Sequence, residues 1–260
     1  MSNPNLRWTH SDVSLPDSEA PSASSVRSLR SEELDVVFQP VVDLRSGKAM
    51  GEEALVRCRR PAWQDPLRLF EEAKAEGFCG RLGRMIREVA FARRAQSALF
   101  VNLHPDELCS RWLVRPDDPI HLHPHPTYLE VTESAAMMHF ELCKHVLHEL
   151  RARSGCRIVV DDLGSGYSNW IRLLELEPDL VKIDRSLVHE LDRVPRKRIL
   201  CRNVIRLCHE LGAKVVAEGI EREEELAAIV DIGADYGQGY LLARPSFPPS
   251  AVHWPLKVLT

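Results

Sequence analysis

From Leu34 onward the chain alternates short β-branched runs with segments of helical spacing, and few folds accept that order. Strand-like runs fall at residues 34–42, 49–56, 98–103, 127–132, 156–162, 179–184 and 213–219, with a weaker one at 234–240. Helical spacing fills most of the gaps. It occurs twice in succession at 66–76 and 82–96, then at 140–153, 169–175, 198–211 and 223–232. Runs such as Ile158-Val159-Val160 are apolar on both faces, as in parallel sheets covered by helices. Eight such runs with intervening helices predict an α/β fold of one domain, a TIM-like (β/α)8 barrel. One departure is built in. Only residues 44–48 link the first two runs, whereas a parallel crossover needs roughly a dozen residues. That pair must be a hairpin, so the barrel begins with one antiparallel strand.

Residues 1–30 are rich in Ser, Pro and Ala and carry no hydrophobic period, so they are expected to form a flexible tail ahead of a barrel domain at 31–260. No apolar run approaches the roughly 18 residues of a membrane span. The N-terminus lacks the basic-then-apolar order of a secretory leader. The seven cysteines are scattered and include no C-x-x-C pair. They read as reduced core thiols of a cytoplasmic protein rather than as disulfides or a zinc knuckle. A formal net charge of -4 argues against a DNA or RNA polymer as partner. A small phosphorylated ligand stays open, because a bound metal reverses the local field.

The polar residues at the ends of the runs carry the chemistry. They are Glu53, Asn102, Glu130, Asp161 with Asp162, Lys182, Glu218 and Gln238. In a closed barrel the C-terminal strand ends converge on one mouth, where such folds keep their active sites. A single carboxylate there could be a solvated strand end. A whole set would repel itself unless a cation neutralised it. Carboxylate and amide oxygens are hard ligands that suit Mg²⁺ or Mn²⁺. The acids exceed what one octahedral ion takes, which makes two ions the expectation, and paired ions are a recurrent device for phosphate-ester hydrolysis. Lys182 adds a positive group for a water or a phosphate oxygen. Gly164 and Gly166 flank Ser165 directly after the tandem acids and predict a sharp, mobile loop.

These residues resemble the EAL-domain phosphodiesterases of bacterial cyclic di-GMP signalling. Glu53-Ala54-Leu55 is the naming motif, and Arg57 completes its E-x-L-x-R form. It arrives in order with FQPVVDL, VNL, LEVTES, DDLGSGYS, VKID, AEGIE and QGYLLARP, across about residues 34–248. The resemblance implies a barrel with one antiparallel strand and hydrolysis of cyclic di-GMP to linear pGpG with Mg²⁺ or Mn²⁺. It implies metal ligands at Glu53, Asn102, Glu130, Asp161, Asp162 and Glu218. Lys182 and Gln238 would hold the attacking water and complete the metal site, and Glu218 matches the proposed general base. Glu133 would anchor the glycine loop, and Glu221 would support the site from behind. Gln39, Leu55 and Arg57 would contact substrate, with Pro245 in the pocket wall. A homodimer is also implied, with control through dimerisation, the glycine loop or a separate regulatory partner.

Departures from the family pattern are few: Leu163 for Phe, Ser165 for Thr, His104 for Ser and Trp170 for a smaller residue. None removes a ligand. A catalytically silent cyclic di-GMP receptor is the alternative reading, and a lost ligand would be its hallmark. An unrelated metal-dependent barrel enzyme fits the ordered motifs poorly. His121, His123 and His125 lie among prolines and read as an extended surface loop rather than a metal site. Cys201 and Cys208 read as one buried helical face, and the basic run from Arg193 to Arg198 as a solvated helix start.

Overall fold

The computed structural model describes residue 22 and residues 24–108, 113–132, 140–164 and 170–255. Eight strands, β1 (Leu34–Asp43), β2 (Lys48–Cys58), β3 (Leu99–Asn102), β4 (Thr127–Thr132), β5 (Arg157–Leu163), β6 (Leu180–Ile183), β7 (Lys214–Ala217) and β8 (Tyr236–Gly237), close into a barrel in sequence order. β1 runs antiparallel to both β2 and β8, and every other neighbouring pair is parallel. The predicted hairpin and the single reversed strand are therefore observed. Outside lie the helices α1 (Pro66–Ala75), α2 (Cys79–Arg93), α3 (Pro105–Leu108), α4 (Phe140–Ser154), α5 (Trp170–Leu176), α6 (Arg185–Val188), α7 (Pro195–Glu210) and α8 (Glu223–Asp231). No helix among the described residues is long and apolar enough to cross a membrane.

Two apolar layers organise the barrel. The larger lies between strands and helices and includes Leu129, Val131, Ile158, Val160, Cys201 and Cys208. The smaller joins Val41, Phe100, Tyr128, Val159, Leu180 and Val216. Phe100 and Tyr128 stack within it at 4.2 Å between ring centroids. Side chains alternate along a strand, so the residue two positions on faces the same way, one level higher. From Phe100, Tyr128, Val159, Leu180 and Val216, that step gives Asn102, Glu130, Asp161, Lys182 and Glu218. On reversed β1 it runs backwards from Val41 to Gln39. The polar mouth is thus the next level above a hydrophobic floor.

The N-terminal boundary differs from the compositional expectation. Val26 and Leu29 are buried in a cluster with Leu34, Trp63 and Leu69, and Ser25 Oγ donates to Glu76 Oε2 at 2.6 Å. Residues 24–30 pack on the domain because these two apolar side chains find a cleft beside α1. Composition averaged over the whole segment hides them.

Candidate metal centre and active site

Strand register brings the candidate residues together. Gln39 pairs with Glu53 across the hairpin, and Asn102 lies opposite Glu130. A β-bulge shapes the fifth strand. Val160 pairs with Val181 and Leu163 with Ile183, so Asp161 and Asp162 together oppose Lys182. Asp162 adopts φ 59°, a left-handed conformation that Asp tolerates better than most residues. Bulges re-aim side chains, and this one turns two consecutive acids toward one mouth. Gly164 follows at φ 102°, where a Cβ would collide with Leu187.

Lys182 stands at the centre, with 1% of its surface exposed. Its Nζ lies 2.7 Å from Glu218 Oε1, 2.9 Å from Glu130 Oε1, and 3.4 Å from both Glu53 Oε2 and Asp161 Oδ1. Glu53 is also gripped by amides. Asn102 Nδ2 donates to its Oε1 at 3.0 Å and Gln238 Nε2 to its Oε2 at 2.7 Å. Gln238 Nε2 also reaches Gln39 Oε1 at 3.0 Å, and Gln39 Nε2 donates to the Ala243 carbonyl.

Burial and charge split the acids. Burial opposes ionisation of Glu53, but the Lys182 charge and the two amides outweigh it and hold the carboxyl below its usual range. Glu130 is driven well above that range by burial and then by the Glu53 charge. Burial pushes Glu218 up to about 8, against the pull of Lys182. Asp162 is raised by burial and by Asp161. Burial also opposes the Lys182 charge, yet the surrounding carboxylates keep it firmly protonated.

The donor set fits divalent ions. Ligand oxygens of Asp161, Asp162 and Glu218 lie within 4.8 Å of one another. Both oxygens of Glu130 are buried without a hydrogen-bond partner, since the close Lys182 approach lacks hydrogen-bond alignment. Gln238 Oε1 is likewise buried and unpartnered. Buried oxygens left this way are costly unless a cation completes them. All are hard donors, which matches Mg²⁺ or Mn²⁺.

A cavity of about 290 Å³ opens beside this centre, lined by Gln39, Leu55, Glu53, Glu218, Glu221, Gln238 and others. Asp184, Arg185 and Tyr240 also line it, and sequence reasoning assigned them no role. The signal was present, because Tyr240 lies inside the QGY run and Asp184-Arg185 follow Lys182 by two positions. Glu221 sits at the rim, paired with Arg185 at 3.0 Å. Arg57 and Pro245 do not line the cavity. The exposed Arg57 donates from Nη1 to the Val56 carbonyl at 2.7 Å. Glu133, Ser165, Gly166 and Cys109 lie outside the described residues.

The turn that follows Asn102 is fixed from behind by a buried ion network that sequence reasoning missed. Arg87 Nη1 donates to Glu107 Oε2 at 2.6 Å, and its Nη2 to Asp118 Oδ2 at 3.0 Å. Glu107 Oε1 accepts the His104 amide at 3.0 Å. All three charged side chains are buried. His123 Nε2 meets the Ser97 carbonyl at 2.8 Å, and its ring stacks on Phe91, so this histidine anchors a loop.

The EAL domain model matches residues 23–245. The chain belongs to the EAL domain family. Cyclic di-GMP phosphodiesterase RocR of Pseudomonas aeruginosa is 31% identical over 87% of this chain, which spans 61% of that protein. Cyclic di-GMP phosphodiesterase PA2567 of the same species is 33% identical over 84% of this chain and 39% of its own length. This EAL chain thus spans less than two thirds of both relatives. Among solved structures, the calcium and cyclic di-GMP complex of Klebsiella pneumoniae BlrP1 superposes with a TM-score of 0.74 at 29% identity, over 82% of this chain and 56% of that one. BlrP1 also has a manganese complex with cyclic di-GMP.

Proposed function

We propose that this EAL domain hydrolyses one phosphodiester bond of cyclic di-GMP to give linear pGpG. The observation that carries the reading is the convergence of Glu53, Glu130, Asp161 and Glu218 on Lys182 Nζ. Asn102, Asp162 and Gln238 complete the same mouth. Mg²⁺ or Mn²⁺ held by these oxygens would polarise the phosphoryl group and acidify water there. The remaining work falls to the chain. Lys182 Nζ donates to the attacking water and orients its lone pair toward phosphorus. Glu218, whose carboxyl burial pushes up to about 8, takes the water's proton at a carboxylate oxygen when in its ionised form. The water oxygen bonds to phosphorus, the P–O3′ bond breaks, the O3′ leaving group takes a proton from solvent water, and Glu218 returns the proton it accepted to solvent. The product carries one 5′-phosphate and one free 3′-hydroxyl.

Gln39 and Leu55 line the cavity as substrate contacts, and the Tyr240 ring offers a guanine a stacking face. Exposed Arg57 is free to exchange the Val56 carbonyl for a phosphate oxygen. Retention of the complete acidic set supports turnover over silent binding. Purified protein with Mn²⁺ or Mg²⁺ is expected to convert cyclic di-GMP to pGpG, read by nucleotide chromatography. Tight binding of cyclic di-GMP without product would overturn the reading in favour of a receptor.

A further inference from the structure

A second group of metal-ligating side chains lies outside the acidic mouth. Cys79, His104 and Asp106 place one ligand atom each within 4.8 Å of one another. Cys79 opens α2 and is 2% exposed. His104 stands in the turn between β3 and α3 and Asp106 in the first turn of α3, with His104 Nδ1 3.9 Å from Asp106 Oδ2. Cys79 is far in sequence from the other two and lies on a different helix from Asp106, so a shared helix face does not explain their meeting.

The supports are rigid. The His104 ring stacks on Phe70 at 5.5 Å with only 4° between planes. Its amide is held by Glu107, which the buried Arg87 locks in turn. Gly83 lies on the same helix as Cys79, and a Cβ there would collide with the Glu107 carboxylate. The missing side chain lets the turn close against α2. His104 Nδ1 accepts the Asp106 amide at 3.2 Å, and an ion bound at that nitrogen would take its lone pair from this hydrogen bond. A site with preset ligands loses little freedom when an ion arrives.

We propose that Cys79, His104 and Asp106 form a zinc site separate from the catalytic centre. One soft sulfur, one imidazole nitrogen and one hard carboxylate oxygen make a mixed donor set that suits zinc, whereas Mg²⁺ and Mn²⁺ favour oxygen ligands alone. Bond lengths of about 2.0–2.3 Å at a tetrahedral angle require ligand atoms about 3.3–3.6 Å apart. Small side-chain rotations reach that spacing from the observed one. Three protein ligands leave a fourth position for water or a small anion. Lys74 is the nearby positive group, acting on both Cys79 and His104, while Asp106 and Glu107 act on Cys79 with negative charge. Asp106 supplies charge that zinc would offset, while Glu107 is already paired with Arg87. Zinc here ties the start of α2 to the turn that follows Asn102, joining the site mechanically to the barrel mouth.

Cobalt is the probe, because a Co²⁺–thiolate bond gives a near-ultraviolet charge-transfer band that oxygen ligands cannot give. The full chain, reduced and in excess Mg²⁺ to fill the oxygen sites, is titrated with Co²⁺. The band is expected to saturate at one ion per chain and to vanish when Zn²⁺ is added. Cys79→Ser should abolish it with unchanged circular dichroism. His104→Ser keeps the thiol and should weaken Co²⁺ affinity by at least ~10-fold. Absence of the band in the parent chain, its survival in Cys79→Ser, or equal affinity in His104→Ser would each overturn the proposal. If Cys79→Ser does not fold, His104→Ser and the parent titration decide.

Discussion

Replacing Lys182 with Met tests whether the ammonium holds the acidic mouth together. The side chain keeps its length and loses its charge, while the carboxylates that faced it stay in place. Lys182 and Glu130 are each 1% exposed, so water cannot take over the pairing. Removing one partner of a buried ion pair costs about 3–5 kcal/mol. Four partners do not multiply that figure, because carboxyls left without a cation take up protons instead. Glu130 and Glu218 already bind protons above the ordinary range through burial, and loss of Lys182 moves them higher. A carboxyl of this kind favours the folded state at low pH and loses that contribution as pH rises through its folded value. The gap between variant and parent should therefore be small near pH 5 and reach its full ~3–5 kcal/mol near pH 8. For a domain of this size, each kcal/mol corresponds to a melting shift of roughly 2–4 °C. Metal-free calorimetry at both pH values measures it, and saturating Mn²⁺ should recover part of the loss through binding to the folded state. A variant as stable as the parent at the higher pH, or a gap equal at both, would refute the electrostatic account.

Glu53→Ala should lose turnover by at least ~100-fold, because it removes a candidate ligand and the acceptor of both amides; unchanged kcat would contradict the site assignment. Divalent ions must displace the proton that burial holds on Glu218 up to about 8. Mn²⁺ affinity of the nucleotide-free protein should therefore rise by up to ~10-fold per pH unit from about pH 6 and level off above the Glu218 value, and calorimetric affinities independent of pH would count against it. Equilibrium dialysis should find about two Mn²⁺ per chain, and a single ion would contradict the charge argument. Arg87→Met should destabilise the fold by ~3–5 kcal/mol in chemical denaturation, since Glu107 and Asp118 stay buried without a cation, and a loss under ~1 kcal/mol would show that they relax to solvent.

Much of this site was legible because its grammar is local. A polar residue two positions beyond a buried apolar one, on the same face of a strand, is visible as a string: Phe100 to Asn102, Tyr128 to Glu130, Leu180 to Lys182. The hairpin was equally plain, because five turn residues cannot support a crossover. What stayed hidden depends on distant partners. Arg87 reads as an ordinary helix residue until folding brings Glu107 and Asp118 to it. The left-handed turn at Asp162 follows from the bulge against β6, and tandem acids alone do not announce it. Val26 and Leu29 sit in a polar context, so only the cleft that receives them reveals their packing.

The charges of the mouth also bear on how a domain that is acidic overall would accept the proposed phosphodiester substrate. Glu53, Glu130, Asp161, Asp162 and Glu218 offer five negative charges against the single ammonium of Lys182. Burial already denies some of them full ionisation, as the raised carboxyls of Glu130 and Glu218 attest. Their resistance to ionisation is imposed by desolvation. Two divalent ions carry the positive charge needed to ionise all five acids without net repulsion. The same ions would leave a neutral to positive face toward the two phosphates of a cyclic dinucleotide. The hydrophobic floor of Phe100, Tyr128, Val159 and Leu180 sharpens the effect by keeping water from beneath the site. Negative charge gathered at one end of the fold would, with cations bound, become a surface that attracts an anion.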